Sequence, residues 1–320
     1  MLSRPDFMEK QIIIYSPMKG DKLSFRNDNA IISDKEGKTV FQCTCYRLFA
    51  IMIIGHVSIT SGLMQRARKF EFSIVLMTTT LRPYCVINPF AESNYLLREK
   101  QYEYADIGAA KTLIKNKMEN QSSLIKTKRD KTEYDKGAIN IINDCISLIP
   151  SASNIAEIMS IEGRASKVYF KSWFDNVAWK GRKPRIKYDY VNSLLDIGYT
   201  MLFSYIDGVA ALFGFDRYKG ILHTQFYMRK SLICDLIEPF RVIIDNQVKK
   251  GINLGQFKEC DFYKWSGQYF LEKKKNAAYS EIFVKVITEY REDIYLYVRD
   301  YYRKTMKGEL DEKMPEWKYK

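Results

Sequence analysis

Residues 189–215 read DYVNSLLDIGYTMLFSYIDGVAALFGF. Apolar side chains recur so densely that they cover most of the circumference of a helix, where a surface helix shows a single stripe. A helix with apolar coverage this wide belongs at the centre of a domain. Asp189 stands where a short acidic side chain can cap the first free amides. The fold is read outward from this segment, with a helical domain built around it.

The next ordered stretch is residues 223–241, HTQFYMRKSLICDLIEPFR. Ser231 is the expected N-cap of a helix over SLICDLIE. Asp235 and Glu238 lie three apart, so both carboxylates are expected on one face. Pro239 predicts a kink or a restarted helix. The chain has only two histidines, and one of them, His223, lies on the connection into this helix. Read blandly, an acidic pair beside an apolar run is a solvated helix face. Read sharply, one imidazole and two carboxylates begin a metal site.

Upstream, residues 151–174 read SASNIAEIMSIEGRASKVYFKSWF. Ile155, Met159, Ala165, Ser166 and Tyr169 mark one helical stripe, and Glu162 falls on it. A carboxylate on a core-facing stripe costs several kcal/mol unless it is paired, protonated or metal-bound. A buried salt bridge to Arg164 or to a distant Arg or Lys is the structural alternative. Between this helix and the central one, WFDNVAWKGRKPRIKYDY (173–190) interleaves Arg182, Lys183, Arg185 and Lys187 with Trp and Tyr rings. Such a loop suits phosphates and unpaired bases, although rings near helix ends more often belong to a core. Residues 111–136 are polar and basic, and read either as a solvated helix–loop–helix or as a surface contacting a nucleic-acid backbone.

Residues 11–88 have a different texture. QIIIYS, KLSF, AIIS, TVFQCTC, FAIMIIG and FEFSIVLM are short β-branched and aromatic runs separated by Gly, Asn and Asp turns. One short helix, residues 61–69, interrupts them. His56 has no acidic neighbour in sequence and reads as structural. The 3.6-residue period takes over after Asn88-Pro89-Phe90. The fold class is therefore α+β: a β-rich N-terminal domain over 1–90, then a larger all-helical domain over 91–320. Within the second, DFYKWSGQYFL (261–271) reads as a hairpin, and a final helix is expected from about 276 to 304.

With 51 basic and 38 acidic side chains the net charge is +13 and the pI about 9.2. That excess favours a polyanionic partner, either nucleic acid or an anionic membrane surface. No apolar run reaches the ~18 residues of a membrane helix, and MLSRPDFMEKQ lacks an apolar signal core. A cytoplasmic protein with no membrane partner is expected. The six cysteines include no C-x-x-C pair, which argues against structural zinc and for small reduced core residues.

Four blocks in order carry a family likeness: SIEGRASKVYF (160–170), DYVNSLLDIGYTML (189–202), KGILH (219–223) and SLICDLIEPFRVIID (231–245). Together they resemble the CRISPR-associated adaptation integrases, metal-dependent DNA endonucleases that insert new spacers into the CRISPR array. The β-rich N-terminus and SNYLLREKQ (93–101) agree in kind, so the likeness spans nearly the whole chain. It implies Glu162, His223 and Glu238 as metal ligands and Asp235 as an accessory acid, all four in the catalytic centre. Val242 stands where the family often has proline, and Cys234 interrupts the helix motif; neither touches the implied ligands.

The resemblance also implies double-stranded DNA as partner, both protospacer and CRISPR repeat. It implies a homodimer, bridged by the small second adaptation protein into a heterohexamer. Two or three carboxylates with one imidazole suit Mg²⁺ or Mn²⁺. Arg182, Arg185 and Arg229 are candidate contacts to the DNA backbone. The competing class is a non-catalytic basic scaffold that binds DNA ends.

Overall fold

The computed structural model describes residues 10–18, 20–56, 59–87, 94–104, 106–177, 179, 181–184 and 186–319. The chain divides into two compact units. One comprises Met1–Glu99 with Asp207–Phe215, the other Lys100–Ile206 with Asp216–Lys320. The boundary expected near residue 90 falls among residues 88–93, outside the described residues.

The first unit is built on a mixed sheet in the order β1-β5-β6-β7. β1 (Gln11–Tyr15), β5 (Leu48–Ile54) and β6 (Ser73–Met77) run parallel, and β7 (Pro83–Ile87) is antiparallel to β6. Every residue of β5, LFAIMII, is buried. A strand covered on both faces loses the polar alternation of a half-exposed one. Helix α1 (Ser61–Phe70) joins β5 to β6, with Thr60 Oγ1 accepting from Leu63 N at 3.4 Å.

A second, antiparallel sheet carries β2 (Lys22–Arg26), β3 (Asn29–Ser33) and β4 (Thr39–Thr44). Its first turn places Asn27 and Asp28 at φ 50° and 56°, the left-handed pair of a type I′ hairpin. Ala30 and Ile32 join Ile51, Ile53, Leu63 and Phe70 in one core. Cys45 is buried there, in the turn after β4, while Cys43 is half-buried. His56, read as structural, is exposed. β7 was not foreseen in the sequence; it begins at a proline, which an edge position tolerates.

In the second unit α3 (Gly108–Lys126), α4 (Glu133–Leu148) and α5 (Ile155–Trp173) pack on one another. α2 (Tyr95–Glu103) precedes them. The Thr132–Asp135 capping box starts α4. Asp135, fully buried, accepts from Thr132 N at 2.9 Å, Lys128 Nζ at 2.8 Å and Ser172 Oγ at 2.6 Å. On α5 the buried face is Ile158, Ala165, Tyr169, Ser172 and Trp173. The expected stripe is offset from it, because Met159 is exposed.

The central helix α6 (Tyr190–Phe213) is capped as expected, with Asn192 N donating to Asp189 Oδ1 at 2.7 Å. α7 (Ser231–Leu236) is followed by a tight turn, Glu238–Phe240, and then α8 (Arg241–Asn253), so the chain restarts around Pro239. Ser231 is not the N-cap. Lys230 holds that position without a side-chain bond, and Ser231 Oγ donates to Thr224 O at 3.0 Å. The hairpin forms as β8 (Phe262–Trp265) and β9 (Gln268–Leu271). The single final helix is two, α9 (Asn276–Glu289) and α10 (Arg291–Lys307), broken at Tyr290. Among the described residues no helix is long and apolar enough to cross a membrane.

Candidate active site

Glu162 and Glu238 come from separate elements, α5 and the turn after α7, and meet at one ammonium group. Lys117 Nζ, on α3, lies 2.6 Å from Glu162 Oε1 and 2.7 Å from Glu238 Oε2. The Glu238 side chain is 5% exposed, Lys117 11% and Glu162 18%. Ser166, one turn after Glu162, donates to its Oε1 at 2.5 Å. Arg241 forks onto Glu238, Nε to Oε2 and Nη2 to Oε1, each at 2.9 Å. This is the planar two-bond match that guanidinium makes with carboxylate.

Burial by itself raises a carboxyl pKa. For Glu162 it is outweighed by the Lys117 charge and by hydrogen bonds from Lys117 and Ser166, which hold the group below its ordinary value. For Glu238 burial is overcome by Arg241 and Lys117, and the shift is strongly downward. In turn, Glu162 and Glu238 raise the Lys117 pKa and Glu238 raises that of Arg241, each against the group's own burial.

His223 and Asp235 form a second pair. His223 Nδ1 lies 2.6 Å from Asp235 Oδ1. The same fully buried carboxylate accepts from the backbone amides of Ile221 at 2.7 Å, Leu222 at 3.1 Å and His223 at 3.1 Å. A carboxylate only accepts, so Nδ1 donates to it, and in the neutral ring Nε2 is the nitrogen that carries the lone pair. Asp235 and Glu238 therefore do not share a face as their spacing suggested. The helix ends between them, and each serves a different partner.

Gly220 is part of this arrangement. A Cβ there would lie 2.5 Å from Asp235 Oδ2 and 2.9 Å from the Ser231 carbonyl carbon. Gly220→Ala should therefore cost about 1–3 kcal/mol and release the His223 ring. Thermal unfolding and the histidine proton resonance check this; an unshifted resonance would show that the loop does not depend on this approach.

Behind Arg241 lies a buried Asp–Tyr network. The Arg241 guanidinium sits 4.7 Å from the Tyr199 ring centroid. The Tyr199 hydroxyl donates to Asp245, as does Tyr169 at 2.7 Å. Burial pushes the Asp245 carboxyl up to about 6, against the pull of those hydroxyls and of Arg241 and Arg182.

The donor types suit a hard divalent cation: two carboxylates gathered around a positive charge, and an imidazole with a free nitrogen. Lys117 stands in for that cation. Among the described residues, no three His, Cys, Asp or Glu side chains stand close enough to hold a metal. Glu162 is brought to Glu238, and His223 to Asp235. Arg182 is largely buried and pairs with Asp196 at 2.6 Å. Arg185 lies outside the described residues, and Arg229 is half-buried. Lys117 and Arg241 were given no role at the site in the sequence. No local signal marked them: Lys117 stands among Asn116, Asn120 and Gln121, polar residues that are all buried in the structure.

A family model described as CRISPR associated protein Cas1 matches residues 14–285. The chain belongs to the Cas1 family. It is 29% identical over 278 residues to the CRISPR-associated endonuclease Cas1 1 of Thermodesulfovibrio yellowstonii, covering 82% of this chain and 87% of the relative. The corresponding protein of Chlorobaculum tepidum is 29% identical over 269 residues, covering 78% of each chain.

Among solved structures, a chain of a partial Cas6-RT-Cas1–Cas2 complex superposes with a TM-score of 0.83 at 20% identity, covering 97% of this chain and 99% of the other. A casposase bound to integration product gives 0.70 at 18% identity, covering 93% and 96%. A Cas1 protein from Thermotoga maritima gives 0.63 at 17%, covering 92% and 97%. These likenesses carry the fold, a β-rich N-terminal part followed by a helical one. The named relatives carry the family's endonuclease class.

Proposed function

We propose that this Cas1-family protein is a divalent-metal-dependent DNA endonuclease and integrase of CRISPR adaptation, joining a free DNA 3′-hydroxyl to a phosphodiester of the array. The observation that carries the reading is the convergence of Glu162 and Glu238 on one cationic group. Glu162, His223 and Glu238 would hold Mg²⁺ or Mn²⁺. The metal, when bound, lowers the pKa of the attacking hydroxyl and neutralises the phosphoryl oxygens. Asp235 fixes the ring of His223 so that Nε2 faces away from it, the usual office of a carboxylate behind a ligating histidine. Arg241 and Ser166 hold the two glutamates in place.

The +13 charge supports double-stranded DNA, protospacer and repeat, as the partner. The likeness to a chain of a partial Cas6-RT-Cas1–Cas2 complex supports the small second adaptation protein as partner, and in this reading it bridges a homodimer into a heterohexamer. Phosphate contacts should dominate the affinity. Binding to a short duplex is expected to weaken about 10³-fold between 50 and 200 mM salt, as fluorescence anisotropy would read; a flat salt response would count against a phosphate-led interface.

One observation favours the second reading, a basic scaffold for DNA ends. Both glutamates already have cationic partners, as in a purely structural ion cluster. Strand transfer of a labelled duplex into supercoiled plasmid separates the two, run with Mn²⁺, Mg²⁺ or EDTA and with the second adaptation protein present. Metal-dependent joining supports the enzyme. DNA binding with no joining under any of these conditions supports the scaffold.

A further inference from the structure

We infer that Lys117 is the protein's own cation at this site, and that its ammonium must leave Glu162 and Glu238 before a divalent metal can take them. The inference rests on the proposed metal-binding role of those two glutamates.

Lys117 Nζ makes its two contacts, at 2.6 and 2.7 Å, in the space between the carboxylates where a shared metal ion would bind. The charges of Glu162, Glu238, Lys117 and Arg241 sum to zero. A neutral cluster exerts little pull on a dication, so the site as it stands is closed to metal by charge as well as by occupancy.

Of the two cations, Lys117 is the one that can move. Arg241 is fixed twice, by its fork onto Glu238 and by its stacking on Tyr199 at 4.7 Å. A lysine ammonium rides on a flexible four-carbon stem. The backbone of α3 around it is pinned. Asn116 exchanges two hydrogen bonds with the backbone of Trp317, at 2.8 and 3.0 Å. Asn120 Nδ2 reaches Pro239 O at 3.1 Å and Trp317 O at 2.9 Å. The helix therefore stays and the side chain swings out.

The closed form has a physical use. Two carboxylates buried this deeply would repel each other without a counter-charge. Lys117 keeps the metal-free protein folded and its glutamates ionised. Metal affinity is lowered by the fraction of molecules held closed.

Two measurements test this at a single fixed pH. Metal-free wild type, Lys117→Met and Glu238→Gln are titrated calorimetrically with MnCl₂. Wild-type protein, with and without saturating Mn²⁺, is also labelled with a water-soluble amine-acylating ester and mapped by mass spectrometry. Lys117→Met is expected to bind Mn²⁺ at least about tenfold more tightly than wild type, and Lys117 acylation in wild type is expected to rise when Mn²⁺ is present.

Equal or weaker affinity in folded Lys117→Met, or unchanged acylation at saturating Mn²⁺, overturns the inference. Should that variant not fold, the labelling decides. Absence of Mn²⁺ binding from both wild type and Lys117→Met, or binding undiminished in Glu238→Gln, overturns the metal reading itself, and so is told apart from failure of the Lys117 inference alone.

Discussion

Glutamine in place of Glu238 is expected to cut strand transfer by about 10³-fold or more while DNA binding persists. Glutamine keeps the shape and removes the charge. In the proposed site it takes away one metal-holding oxygen donor and half of the negative charge that gathers the cation. A metal contributes several kcal/mol to stabilising the charge of a phosphoryl transition state. Losing about 4 kcal/mol of that is about 10³-fold in rate. DNA affinity should change little, because it resides in phosphate contacts by the basic surface. Joining kinetics beside duplex-binding isotherms read the two quantities separately. Joining at the wild-type rate by Glu238→Gln would refute the catalytic assignment.

Asp135→Ala should be the most damaging change away from the site, at about 3–5 kcal/mol. It strips the cap from α4 and removes one of the two carboxylates that hold Lys128, whose side chain is 10% exposed. Burial would raise the Asp135 pKa, but hydrogen bonds from Lys128, Ser172 and Thr132 bring it down to about 2. The sign follows. A carboxyl depressed from near 4 in the unfolded chain contributes stability above pH 4, about 2 kcal/mol here. That contribution is lost as pH falls through about 2. Urea unfolding of wild type and variant between neutral and acid pH checks it. Their stabilities should converge on acidification, and a constant gap would show that the charge on Asp135 is not the source.

The parts of the fold legible in sequence were those where apolar pattern and packing agree. β5 is buried throughout and reads as an unbroken apolar run, and α6 is buried nearly all round and reads as apolar over most of its circumference. The hairpin at Ser266-Gly267 and the turn at Asn27-Asp28 carry their own turn chemistry. α3 misled for the opposite reason. KTLIKNKMENQSS looks solvated, yet Asn116, Lys117, Asn120, Gln121 and Ser122 are buried. The partners of Asn116, Lys117, Asn120 and Gln121 are backbone and side-chain groups far along the chain, Trp317, Pro239 and Glu162 among them. No local pattern shows that a polar residue is satisfied over a separation of that size.

The same limit hid the split between Asp235 and Glu238. Spacing puts them on one face only if the helix continues, and it ends at Leu236. The break at Tyr290 in the last helix has no proline or glycine to announce it. Family resemblance could point to Glu162, His223 and Glu238, but not to the ammonium that stands between two of them.

The first compact unit is not one stretch of chain, and this bears on how the protein is made. Its central strands are covered by residues from the far end of α6: a Cβ on Gly208 would lie 3.3 Å from both Met52 and Met77, and Phe213 meets Phe49 with ring centroids 6.0 Å apart. A ribosome that has finished the β-strands of this unit must still translate about half of the helical unit before Asp207–Phe215 exists. At ~5–20 residues per second that delay is about 10 s. Throughout it the apolar face formed by Met52, Val75 and Met77 waits uncovered on the nascent chain. Synthesis of this protein therefore contains a window in which a holding chaperone has an obvious client, and in which a fragment ending before Asp207 would stay permanently.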